Sequence, residues 1–188
     1  MVQDRPFMST EALEEPGEKT ARLLVTSRSF YTIRRTRRAL AAAVRDARIQ
    51  GTGFGAVLLL EAEGDALELA SRVSRECAGD IGRVMAVCAQ VPSSVALLQE
   101  AAVRVGVERI GESDSFCFRV RKRGAHALDD DTPVLEREIG GAIWVALERK
   151  YGRKPRVDLE DPDVTIRGEV LGPMVLVGVR RRDWRSGE

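Results

Sequence analysis

The sequence has no asparagine, one histidine, three cysteines and four lysines among its 188 residues. Three thiols and one imidazole are too few for a zinc site unless carboxylates complete it. Cys77, Cys88 and Cys117 are odd in number and lack C-x-x-C spacing, which fits a reducing compartment, and a cytoplasmic protein is expected. Aromatic residues make up only 5%, which excludes a base-stacking platform of the RRM kind. No apolar run approaches the roughly 20 residues of a membrane span. The polar, acidic first twenty residues are not a signal peptide. A charge of one sign is missing too: Lys+Arg 30 against Asp+Glu 29 leaves +1. Attraction to polyanions therefore cannot be argued from bulk charge and must rest on where the basic residues sit.

What is present suffices for a folded core. Hydrophobic residues are 44% and charged residues 31%, and the length suits one large domain or two small ones. Of the basic residues 26 are arginine, the better side chain for planar contact with phosphate. A GC-rich genome produces the same bias. Residues 1–20 lack periodicity and read as a flexible tail. Strands are predicted at Arg22–Thr26, Ala56–Leu60 and Arg83–Val91. Helices are predicted at Ile33–Arg48 and Asp65–Ala78, the second opened by an Asp65/Glu68 capping box and closed by Gly79. This β-α-β-α-β order describes a small two-layer unit over residues 21–92.

A second unit is expected over residues 93–182, with 183–188 as a tail. A helix over Ser94–Val105 ends at Gly106. Ser115–Arg121 alternates with period two and reads as a half-buried strand. Thr132 caps a helix with Pro133 at its first position, burying Leu135, Ile139, Ile143 and Ala146 and ending at Gly152. Arg156–Leu159, Thr165–Val170 and Met174–Arg180 are strand-like.

Most candidate chemistry has a plain structural explanation. The cluster Gly51-Thr52-Gly53-Phe54-Gly55 precedes a strand, whereas a dinucleotide fingerprint follows one and opens a helix. It reads as a turn between the first helix and the second strand. His126 is the single candidate imidazole acid or base, near Asp129, Asp130 and Asp131. Those acids also suit a turn before a helix N-terminus. No metal-ligand spacing and no Ser/His/Asp order is present, and neither a metal nor a cofactor is expected.

The basic residues cluster. Residues 28–48 hold seven arginines and one acid, Asp46. On a helix continuing to Arg48, Arg34, Arg38, Arg45 and Arg48 share one face, suited to a phosphate backbone. In Arg119-Val120-Arg121-Lys122-Arg123-Gly124, strand alternation puts the three arginines on one side. Arg149, Lys150, Arg153, Lys154 and Arg156 gather at the end of the long helix. Arg180-Arg181-Arg182 with Trp184 adds charge and one stacking surface.

From Ser115 to Val179 the chain resembles a THUMP domain, the RNA-binding module of many tRNA-modifying enzymes. The resemblance is carried by Phe118-Arg119-Val120-Arg121-Lys122-Arg123-Gly124-x-His126 on a strand and by Glu138-Ile139-Gly140 inside a helix. Val157-Asp158-Leu159 and Asp161-Pro162-Asp163-Val164 follow, ahead of two closing strands. The preceding unit is similar to the ferredoxin-like domain that accompanies THUMP, so the resemblance implies an α+β fold with both. Only a short tail follows the last expected strand, so the arrangement resembles the stand-alone THUMP adaptor of tRNA cytidine N4-acetylation. That family implies a non-catalytic, tRNA-binding protein. In it THUMP grips the acceptor end, and a separate RNA acetyltransferase supplies the acetyl-CoA and ATP chemistry. The residues it points to are Arg119, Arg121, Lys122, Arg123, Gly124, His126 and Gly140, with Arg34, Arg38, Arg45, Arg153 and Lys154 extending the track. The alternatives are a targeting subunit for tRNA thiolation or methylation, a small hydrolase using His126, and a structural interaction module.

Overall fold

A computed structural model describes residues 20–184. The expected tails fall mostly outside these residues. Thr20 opens the first strand, and Asp183 and Trp184 form a closing 3-10 turn in which Trp184 is 3% exposed. The chain divides into two compact units between Val84 and Met85.

The first unit contains β1 (Thr20–Ser27), a 3-10 turn (Phe30–Thr32), α1 (Ile33–Ala43), β2 (Arg48–Gly51), β3 (Val57–Glu63), α2 (Ala66–Glu76) and the start of β4 (Ile81–Pro92). Its strands lie in the order β2-β3-β1-β4. Antiparallel pairing sets Leu23 opposite Leu60 and Val25 opposite Leu58, and all four are fully buried. Leu24 and Leu59 fall on the opposite face, beside the Arg22–Glu61 pair at 2.9 Å. Leu40 of α1 and Leu69, Ala70 and Val73 of α2 complete the core. The Asp65 carboxylate accepts from the Leu67 and Glu68 amides, as the capping signal predicts.

The first helix is shorter than expected. It ends at Ala43, Val44 is extended, and Asp46 turns the chain at φ 61° into β2. The apolar period running through Ala47 conceals this break, because no glycine or proline marks it. Arg45 is therefore an exposed loop residue, and Arg48 sits in β2 opposite Glu61. The glycine cluster is the β2–β3 hairpin loop, with Gly53 and Gly55 at positive φ and the buried Thr52 Oγ1 donating to the Val57 carbonyl.

The second unit contains the rest of β4, α3 (Val95–Arg109), β5 (Ser115–Arg123), α4 (Thr132–Tyr151), β6 (Arg156–Val157), β7 (Val164–Leu171) and β8 (Met174–Arg181). Strand order is β4-β8-β7-β5-β6. β5 and β7 are parallel, whereas β7–β8 and β4–β8 are antiparallel. Phe116, Phe118, Val120, Ile166, Val170, Val175, Val177 and Val179 are buried and share one sheet face by register.

α3 does not stop at Gly106 but continues to Arg109. A Cβ on Gly106 would meet Ile143 Cγ2 at 2.9 Å, so this glycine admits α4 rather than ending the helix. α4 buries Leu135, Ile139, Ile143 and Leu147, with Ala146 only half-buried. Gly152 ends it in the left-handed conformation at φ 68°. β5 is buried on both faces from Ser115 to Phe118, not half-buried, because Cys117 packs on β7 against Thr165.

Candidate nucleic-acid interface

The β5 arginines do not form a uniform row. Arg119 donates to the Glu136 carboxylate of α4 at 3.1 Å and to the Leu159 carbonyl at 2.7 Å. The other Glu136 oxygen accepts the Val120 amide at 2.9 Å, which satisfies β5 beyond the two residues that β6 covers. Arg123 is ion-paired with Glu169, which also holds Arg167 through Oε1 at 2.9 and 3.1 Å. The Glu169 side chain is 7% exposed, so two guanidinium groups neutralise one buried carboxylate. Arg121 is the exposed member of the three.

The turn after β5 is fixed by its lysine. Lys122 Nζ donates to the carbonyls of Leu128 and Asp130, while Gly124 takes φ 74°. The half-buried His126 uses Nδ1 to accept the Leu128 amide at 3.3 Å. Asp129, Asp130 and Asp131 are exposed just ahead of α4. Among the described residues no cluster of three or more His, Cys, Asp or Glu side chains could hold a metal ion.

The adjoining segment around residues 158–163 is a junction. Asp158 Oδ1 accepts from the Glu160 and Asp161 amides, both at 2.9 Å. These amide bonds hold its carboxyl below the usual range. Asp163 Oδ2 accepts from the Ser115 amide at 2.8 Å and hydroxyl at 2.6 Å, and Oδ1 pairs with Arg182. Arg182 is thus engaged by Asp161 and Asp163, and buried Trp184 offers no stacking surface. The stacking surface expected of Trp184 is therefore absent, and Arg182 of the arginine run is taken up by acids.

The end of α4 is different. Arg149, Lys150, Arg153, Lys154 and Arg156 are all exposed. Lys150 lies 4.7 Å from the Tyr151 ring centre and donates to the Val107 carbonyl, and Arg156 donates to the Ser113 carbonyl. Carbonyl partners orient these cations without cancelling their charge. Among the described residues Arg153 alone of the group forms a salt bridge, with Glu112 at 3.3 Å, and Arg156 also feels the charge of Asp158.

Gly140 and Gly141 lie further back on the same helix. Nothing lies within 4 Å of a Cβ built on Gly141, and Gly140 would meet only Phe118 Cβ at 3.9 Å. Packing within the described residues therefore does not require either glycine, although each costs about 1 kcal/mol relative to alanine. In the first unit, Arg34 and Arg38 are exposed on α1, and Arg45 follows it.

Residues 93–180 match the THUMP domain. A probable tRNA sulfurtransferase from Halobacterium salinarum is 34% identical over 76 residues, covering 40% of this chain and 18% of that protein. The chain thus spans less than a fifth of the length of that relative. TrmN from Thermus thermophilus has a similar structure at TM-score 0.56 and 22% identity, covering 86% of this chain and 46% of that one. A 4-thiouridine synthetase, solved with RNA and ATP, matches at TM-score 0.56 and 14% identity, covering 87% and 42%.

Proposed function

We propose that this chain, through the THUMP domain at residues 93–180, binds tRNA and delivers it to a base-modification enzyme. The carrying observation is that this domain holds exposed arginine and lysine side chains at the end of α4, of which only Arg153 forms a salt bridge among the described residues. Together with Arg121 they suit a phosphate track. Gly141, exposed and small where packing asks for nothing small, leaves room for an RNA backbone. The β2-β3-β1-β4 order supports reading residues 20–84 as the ferredoxin-like unit that accompanies THUMP.

We read the chain as a non-catalytic adaptor. The N4-acetylcytidine role rests on the resemblance to the THUMP adaptor of tRNA cytidine N4-acetylation and would make an RNA acetyltransferase its partner. Thiolation is the second reading, and the sulfurtransferase name of the Halobacterium relative favours it. Nucleoside analysis of tRNA from cells lacking the chain separates them. Loss of N4-acetylcytidine supports the first, and loss of a thiolated uridine supports the second.

Binding itself is tested with unmodified tRNA, with and without its 3′-terminal CCA, across a salt series. Six phosphate contacts give a log–log slope of about −4 to −5. Weaker binding without CCA places the acceptor end in the site. No binding at low salt rejects the RNA reading.

A further inference from the structure

The 3-10 turn ahead of α1 presents two aromatic side chains that the fold does not use. Tyr31 is 95% exposed and Phe30 67% exposed. Their ring centres lie 6.3 Å apart in an edge-to-face arrangement. An exposed ring forfeits the free energy of burial, and this turn is built to hold both rings outward. Beneath them, the Ser27 and Thr32 hydroxyls meet at 2.8 Å, and Thr32 Oγ1 accepts the Ser29 amide at 3.1 Å. The fully buried Thr36 donates to Ser27 Oγ at 2.9 Å. Arg28 reaches across to the carbonyls of Ala78 and Ile81. The turn is therefore a fixed platform.

Charge selects what such a platform receives. No acid occurs between Arg28 and Arg45. Arg34 and Arg38 follow Tyr31 by three and seven residues, which places all three on one helical face. Both arginines are exposed and have no acidic partner among the described residues. They are four residues apart, about 6 Å along the axis, close to the spacing of successive phosphates in an extended strand. Rings present a face only to bases that are not already stacked in a duplex.

We propose that Phe30, Tyr31, Arg34 and Arg38 form a binding site for unpaired nucleotides of RNA, in which the rings stack on bases and the arginines hold the following phosphates. This site lies outside the THUMP domain and stands whether or not that domain binds tRNA. The test measures binding of the full chain to a single-stranded oligouridylate and to a blunt RNA hairpin of equal phosphate number whose loop is replaced by a non-nucleotide linker. Replacing Phe30 and Tyr31 together by alanine is expected to weaken oligouridylate binding about ten-fold and leave hairpin binding unchanged. Tyr31→Phe keeps the ring and restores affinity. In Tyr31→Trp, oligouridylate quenches the new indole emission. Replacing Arg149 and Lys154 by alanine is the control for the THUMP reading and leaves that quenching intact. Unchanged oligouridylate affinity in the alanine pair, an equal loss for hairpin and single strand, or no quenching overturns the proposal. Both rings are exposed, so loss of fold does not confound the result.

Discussion

Glu169 shows how much one buried carboxylate can organise. It neutralises Arg123 and Arg167 together, so a neutral replacement strands two guanidinium groups in a poorly hydrated place. Glu169→Gln is expected to lower unfolding free energy by about 3 kcal/mol, read by urea denaturation. The thiols offer a second check at this scale. Burial pushes the Cys77 and Cys117 thiols up, with nearby Asp80 adding to the effect at Cys77. Half-buried Cys88 should therefore be labelled first by a thiol reagent in the folded protein, and the other two only on unfolding. At Asp158 the sign runs toward acid. Its carboxyl is depressed in the folded state, so its contribution is complete above the unfolded value and lost as pH falls through the lower folded one. The melting-temperature gap between wild type and Asp158→Asn should accordingly close in that acid window.

Between elements, contacts replace local signals. Gly106→Ala gains helix propensity but drives a methyl into Ile143, and should cost a net of about 1–2 kcal/mol. Glu136→Gln keeps an acceptor for the Val120 amide yet releases the charge of Arg119. It should tighten tRNA binding and steepen its salt slope by about one, measured by titration across a salt series. The Asp65 cap, the Gly152 stop and the apolar stripe Leu135-Ile139-Ile143 of α4 were legible in the sequence because each is written within a few residues. Thr132, by contrast, is the first residue of α4 behind an Asp131 N-cap, and α2 stops at Glu76, short of Gly79. The end of α1 and the continuation of α3 were not legible. β2 exists because β3 offers it an edge, and Gly106 lies mid-helix because Ile143 arrives from about forty residues away. The candidate interface divides the same way. Basic clustering was visible, but the capture of Arg119 and Arg123 by distant acids was not. The base-stacking pair at Phe30 and Tyr31 could have been found from two adjacent aromatics inside an arginine run.

At the scale of the whole molecule, basic charge is concentrated locally although the chain carries only +1. Association with RNA should then depend on ionic strength far more than the net charge suggests. Removing Arg149, Lys150 and Lys154 together by alanine should weaken tRNA binding and reduce the salt slope by about three. Thermal stability should change little, because these side chains are exposed.

The pairing of β4 with β8 has a consequence for biosynthesis. Ala86 through Pro92 find their partners at Val179 through Met174, the last strand of the described chain. On the ribosome these residues emerge long before that strand exists. The apolar face of α3 likewise waits for β7 and β8, whereas α4 can pack at once on β5. The second unit thus closes only once β8 has emerged, leaving its half-made sheet exposed to chaperones and proteases until then.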